Sequence, residues 1–236
     1  MGELNPITEF CFAMEIRGWA KHLLGDMGES RGRERNQVLT SCGASSLVID
    51  SLCDRATEQN AAVACFYFDF VAQRGQSPES VLGALLKQII GGLEEVPGEI
   101  VQAYEDQKKV IGGRGPQLTD IVRMLQVASS RKRTFVCMDA MDECVPGNRV
   151  KLLDSLDKIL QQSPGTRVFM TGRPQIRPEM GRRLPGRVAN LPISPKRGDI
   201  IGYIHTRLVE DTDSDAMDSS LEEAILKKIP EDISEM

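Results

Sequence analysis

The chain has 236 residues, with 29 Lys and Arg against 34 Asp and Glu and a formal net charge of −5. That balance argues against a general nucleic-acid binder, which needs a basic footprint, and leaves nucleotide binding open. Hydrophobic residues at 41% and charged residues at 27% suit one large α/β domain, which would bury roughly 70% of its unfolded surface.

The first 35 residues read as a poorly defined segment and linker. Within them "MEIRGWAKHLLGDM" has the spacing of a short amphipathic helix, and "GESRGRER" that of a solvated linker. "QVLTSCGASSLVID" then places a short apolar strand (Val38, Leu39) before a Ser-Cys-Gly turn and a helix-like segment. "AVACFYFDF" is nearly all apolar, as a buried parallel strand is. Ser77 or Ser80 can cap the helix that follows, with Leu82, Leu85, Leu86, Ile89 and Ile90 on one face. "GGRGPQ" breaks the chain, and Leu118, Ile121, Val122 and Leu125 mark the next helix.

"RTFVCMDAMDEC" is a strand that ends in acids. Leu152, Leu153, Leu156 and Leu160 repeat the helical spacing after it. "TRVFMTGRP" is a strand stopped by Gly172 and Pro174, and "GRVANLPI" a further short strand. "DIIGYIHTRL" and "SSLEEAILKKI" are two helices on either side of an acidic stretch. Strands alternating with helices predict a mainly parallel sheet, with ligands beyond the carboxyl ends of its strands.

None of the six cysteines forms a C-x-x-C pair, and Cys65 and Cys137 lie in apolar runs, so a reduced, intracellular protein is expected. His22 and His205 alone disfavour zinc. No apolar run approaches the ~18 residues of a membrane span. "ITEFCFAM" is interrupted by Glu9 and has no basic region before it, so it does not read as a signal peptide.

Two strand ends carry candidate chemistry. Asp139 follows "TFVCM" at the predicted carboxyl edge. A carboxylate there can hold Mg²⁺, usually through water, and Asp142 or Glu143 can orient an attacking water. The alternative is a polar turn whose acids cap the next helix. Arg173 follows "RVFMTG" and could reach a terminal phosphate bidentately, or stand as a solvated arginine in a surface turn.

Together these pieces resemble the NACHT domain, a branch of the STAND family of P-loop signalling NTPases. The likeness is closest to fungal proteins related to the nephrocystin-type N-terminal module. "TFVCMDAMDEC" resembles the family's Walker B segment, "RVFMTGRP" its sensor 1 strand, and "VACFYFDF" the strand after its first helix. The resemblance runs from about Asn36 to Met236. It implies a P-loop NTPase-like three-layer α/β fold, with a core over 36–195 and the start of a helical region over 196–236. It also implies a cytosolic NLR-like receptor of innate immunity, in which a nucleotide switch links an effector to ankyrin or WD repeats. Protein partners would come from self-association or from such effector and repeat domains, with no nucleic acid. By the same resemblance Asp139 is the Mg²⁺-associated acid. Asp142 and Glu143 polarise water, Arg173 is the sensor arginine, and the cofactor is ATP or ADP (or GTP) with Mg²⁺.

One part of the pattern is missing. The family carries G-x-x-x-x-G-K-[ST] between its first strand and the segment matching "SSLVID", where backbone N–H groups and a lysine hold the phosphates. Here the chain passes from Thr40 through Ser41, Cys42 and Gly43 to Ala44-Ser45-Ser46, and no lysine occurs from His22 to Leu86. Gly43, Ser45 and Ser46 could still form a weak phosphate nest. A helix N-terminus contributes about 0.3–1 kcal/mol to holding an anion, whereas micromolar binding requires about 8 kcal/mol. The first expectation is therefore a NACHT-derived signalling or interaction module impaired in nucleotide binding, with weak or no NTP hydrolysis. A working ATP/GTP switch with a non-standard phosphate turn is the alternative. A third reading is an incomplete chain, a shortened gene product that is marginally folded and has no independent role, because the sequence stops before any winged-helix or repeat region.

Overall fold

A computed structural model describes residues 9–14, 49–56, 59–109, 115–193, 197–210 and 219–234. The strand expected at Val38 and Leu39, the Ser-Cys-Gly turn and nearly all of "MEIRGWAKHLLGDM" lie outside these residues. In chain order the elements are β1 (Glu9–Met14), α1 (49–56), β2 (Ala61–Tyr67), α2 (Pro78–Gly91), α3 (Gly98–Lys108), α4 (Leu118–Arg131) and β3 (Arg133–Asp139). Then follow α5 (Pro146–Gln162), β4 (Thr166–Gly172), α6 (Arg177–Arg183), β5 (Val188–Ile193), α7 (Arg197–Glu210) and α8 (Ser219–Ser234).

The five strands form one sheet in the order β2-β3-β4-β1-β5. β2 pairs parallel with β3, and β3 parallel with β4. β1 pairs antiparallel with both β4 and β5, so β4 and β5 share a direction and four of the five strands run the same way. Residues 9–14, which the sequence left outside the core, thus fill an interior position of the sheet. Their apolar run, Phe10 to Met14, is only five residues long, too short to be told from a buried helix segment by periodicity.

Alternation along the strands divides the core between two faces. On one face Ala62, Ala64, Val136, Met138, Val168 and Met170 pack with the apolar stripes of α2, α4 and α5. On the other Ala61, Phe135, Cys137 and Phe169 pack with Ile49, Leu52 and Ala56 of α1. Helix, sheet and helix are the three layers expected of the α/β class.

Local signals account for most boundaries. Ser77 accepts from the Ser80 N–H at 3.2 Å and Pro78 opens α2, both start signals. Gln117 and Asp120 form a capping box at α4. Two helices were not anticipated: α3 buries only Ile100 and α6 only Met180, so neither carries an apolar stripe to read. The outer edge of β2 is closed by a side chain. Gln88 of α2 accepts from the Cys65 N–H and donates to the Cys65 carbonyl, both at 2.9 Å, as a neighbouring strand would.

Candidate functional site at the carboxyl edge of the sheet

β3 and β4 run side by side, with Met138 opposite Met170. One step further lie Asp139, the last residue of β3, and Thr171, the last but one of β4. Thr171 Oγ1 donates to Asp139 Oδ1 at 2.5 Å and accepts from the Ala140 N–H at 3.0 Å. Asp139 is 8% exposed, so this bond forms where few waters compete, and a bond to a charged acceptor is the stronger kind. The chain then reverses sharply. Ala140 takes a left-handed conformation with φ 54° and ψ 47°, and a single 3₁₀ turn carries Met141, Asp142 and Glu143. A non-glycine residue in that region is uncommon and stores strain.

Asp142 turns towards the end of β4. Its Oδ1 accepts from the Arg173 backbone N–H at 3.1 Å, and its Oδ2 lies 3.4 Å from Arg173 Nε. Asp142 is 9% exposed and Arg173 67%, so the acid is fixed while much of the guanidinium stands in water. Gly172 makes this approach feasible. A Cβ there would sit 2.7 Å from Ile176 Cδ1 and 3.3 Å from Asp142 Oδ1, so a side chain would displace the tip of Ile176 and crowd Asp142.

Glu143 points the other way, to the loop after β2. Its Oε2 accepts from the Phe70 N–H at 3.0 Å, and its carbonyl accepts from Gln73 Nε2 at 2.7 Å. Gln76 adds a third tie, accepting from the Asp69 N–H through its side chain and from Asn148 through its carbonyl. The loop is therefore braced on the acidic turn while Phe70 and Val71 remain exposed.

Behind the turn lies Arg149, 8% exposed. Its Nε donates to Glu179 Oε2 at 2.8 Å, and its Nη1 donates to the carbonyls of Cys144 at 2.9 Å and Met141 at 3.5 Å. One guanidinium thus fastens the acidic turn to α5 and α6. The Cys144 thiol is buried, which pushes its pKa up to about 11 although the Arg149 charge acts in the opposite sense.

Four of the expected residues, Asp139, Asp142, Glu143 and Arg173, therefore meet at one edge. Asp142 and Arg173 touch, whereas Asp139 and Glu143 are held by other partners. Gly43, Ser45 and Ser46 lie outside the described residues. Asp139 is a hard oxygen donor of the kind Mg²⁺ takes. Among the described residues no group of three or more His, Cys, Asp or Glu is arranged to hold a metal ion. They fit a metal-associated carboxylate and do not make up a phosphate cradle. Sequence reasoning missed Thr171, Arg149 and Glu179. Arg149 had a signal: it falls three and four residues before Leu152 and Leu153, a cation on the apolar stripe of α5.

Known proteins supply a family for this edge. The Orc1 protein of Aeropyrum pernix, solved in complex with DNA, is similar at a TM-score of 0.34 and 17% identity, over 80% of this chain and 53% of that one. The chain thus spans about half the length of that structure. No curated protein matches. No helix among the described residues is long and apolar enough to cross a membrane. The family model described as "Nephrocystin 3, N-terminal" matches residues 41–173, more than half of the chain and the whole span from the Ser-Cys-Gly turn to Arg173. The chain belongs to the nephrocystin-3 N-terminal family.

Proposed function

We propose that this chain is a P-loop NTPase-derived signalling or interaction module that keeps the α/β scaffold and binds nucleotide weakly or not at all. In this reading it is a NACHT-like, NLR-type protein of the STAND class, working in the cytoplasm through protein partners. The observation that carries the proposal is the use of the two water-polarising acids as braces. Asp142 is bound to Arg173 and Glu143 to the Phe70 N–H. An acid that acts as a base needs its oxygen within hydrogen-bond reach of the attacking water, and both Asp142 oxygens and one Glu143 oxygen already face internal donors. The missing lysine loop supports the same reading from the sequence, because the stretch from His22 to Leu86 offers no lysine in its place.

Calorimetric titration with Mg-ATP and Mg-ADP tests this directly. The expected result is no binding tighter than roughly 100 μM, equivalent to about 5.5 kcal/mol. A low-micromolar dissociation constant would overturn it. The alternative, a working switch, is favoured by Asp139, which keeps its place at the strand end beside Thr171. It requires that millimolar ADP with Mg²⁺ raise the melting temperature, since a ligand that binds only the native state stabilises it. It further requires that Asp139→Asn remove the Mg²⁺-dependent part of that rise.

A further inference from the structure

The amino end of the sheet, opposite the acidic turn, carries a group of hydroxyls inside the core. Along β3 and β4, Val136, Met138, Val168 and Met170 face α2, α4 and α5, and strand alternation turns Thr134 and Thr166 the same way. These two threonines are register partners in the parallel ladder, and both are fully buried. Ser129 comes from the helix above them. It lies one turn after Leu125 and two after Val122 on the buried stripe of α4, and it is 3% exposed. Two contacts bracket it. One turn before Ser129, the Gln126 carbonyl accepts from Ser163 Oγ at 3.3 Å, and the Ser163 carbonyl in turn accepts from the Thr166 N–H at 2.9 Å. One turn beyond Ser129, the Lys132 carbonyl accepts from Thr134 Oγ1 at 2.9 Å. Thr134 and Ser163 thus spend their hydroxyl protons on carbonyls. Ser129 Oγ and Thr166 Oγ1 are buried and meet no hydrogen-bond partner among the described residues.

We infer that this end of the core is a binding site for one internal water, which joins Ser129 Oγ to Thr166 Oγ1. Buried polar groups are satisfied as a rule, and an orphaned hydroxyl costs its full desolvation penalty. Water suits the pair because it can both donate and accept, so either hydroxyl may point towards it. Thr134 Oγ1 and Ser163 Oγ keep acceptor capacity for the water's own protons, which brings it to the two to four partners a buried water takes. Side-chain size leaves room for it. Elsewhere in this layer Leu125, Leu156, Met138 and Met170 fill the gap between helix and sheet, whereas here a serine faces two threonines. Space lined by hydroxyls takes up water, while cavities that stay dry are apolar. The site ties α4 to the starts of β3 and β4, the two strands whose far ends carry Asp139 and Thr171. The inference rests on these hydroxyls alone and is independent of whether nucleotide binds.

The test compares the full chain with Ser129→Ala, Thr166→Val and the double variant. Oxygen-17 magnetic relaxation dispersion counts waters held for long times and is blind to the hydroxyl protons of the protein. The double variant should hold one long-lived water fewer than the native chain, and equal dispersion amplitudes overturn the proposal. Urea unfolding supplies a second reading whose sign decides. Thr166→Val keeps the shape of the side chain, so losing a hydroxyl that water satisfies should lower the unfolding midpoint. A midpoint that stays or rises is what replacing an unpartnered hydroxyl gives, and it overturns the proposal. Because one water serves both groups, the loss in the double variant should fall short of the sum of the single losses. Additive losses, the mark of distant and independent sites, overturn it as well. If the double variant fails to fold, Thr166→Val alone decides, by its midpoint and its dispersion.

Discussion

Two arginine–carboxylate pairs lie along the same edge of the sheet, and their surroundings give them different work. Arg149 is 10% and Glu179 16% exposed by side chain, and the pair is joined at 2.8 Å. The guanidinium also satisfies two carbonyls of the acidic turn. Arg173 is 67% exposed and meets Asp142 at 3.4 Å through one nitrogen. Burial decides the contrast. Removing one partner of a buried pair leaves a charge without water or counter-charge, whereas an exposed arginine can be replaced by solvent at little cost. The first pair builds the edge and the second decorates it, although the second contains the residue that the family pattern points to.

The largest expected effect comes from breaking the buried pair. Arg149→Ala should destabilise the fold by about 3 kcal/mol in urea unfolding, because Glu179 and two carbonyls lose their donor together. The double change Arg149→Met with Glu179→Met should recover most of that loss, since well-packed apolar residues often replace a buried ion pair without penalty. If the double variant is as unstable as the single one, the carbonyl bonds rather than the charges hold the turn.

Next is Thr171→Val, which keeps the shape and removes the hydroxyl between Asp139 and the Ala140 N–H. A loss of about 1.5–3 kcal/mol is expected, the scale of a hydrogen bond to a charged group. Hydrogen exchange should show Ala140 opening before the core of β3.

Alkaline pH probes the same turn from its Cys144 side. The thiol has an ordinary value of 9.0 and is pushed up to about 11 in the fold by burial. Between those values the unfolded chain loses its proton and the folded chain keeps it, so the Cys144 contribution to stability should fall as pH rises from 9 and level off above 11. Cys137 is buried and shifted in the same direction, which adds to the fall. Unfolding curves across pH 8–11 for the native chain and for Cys144→Ala would measure the share that belongs to Cys144. The smallest effect should be that of Arg173→Ala, under about 1 kcal/mol. A loss comparable to Arg149→Ala would abolish the distinction between the two pairs.

The legible parts of this molecule are those where one residue type repeats at a fixed period. The leucines of α5, the apolar runs of β2, β3 and β4, and the glycine and proline that stop β4 all stand where the sequence put them. The acids and Arg173 were legible because they follow strands. Their partners were not, because partnership depends on register. Thr171 reaches Asp139 only because β4 lies beside β3 in one alignment, and nothing local to "MTGRP" states that alignment. Arg149 was overlooked for a related reason: a charge on an apolar stripe reads as noise until its acceptors are known. β1 failed differently. A short apolar run ahead of the regular alternation of strands and helices does not declare its place in a sheet, and its pairing partners lie more than 150 positions away in the chain.

Gln88 has a consequence for how this sheet meets its neighbours in a crowded solution. Its amide occupies the Cys65 backbone groups on the outer side of β2, where an extended segment of another molecule would otherwise begin to zip on. One side chain therefore works as a gatekeeper against edge-to-edge pairing of sheets. The strands between β2 and β5 are each paired on both sides and need no such device, whereas growth at this outer rim would have no natural end.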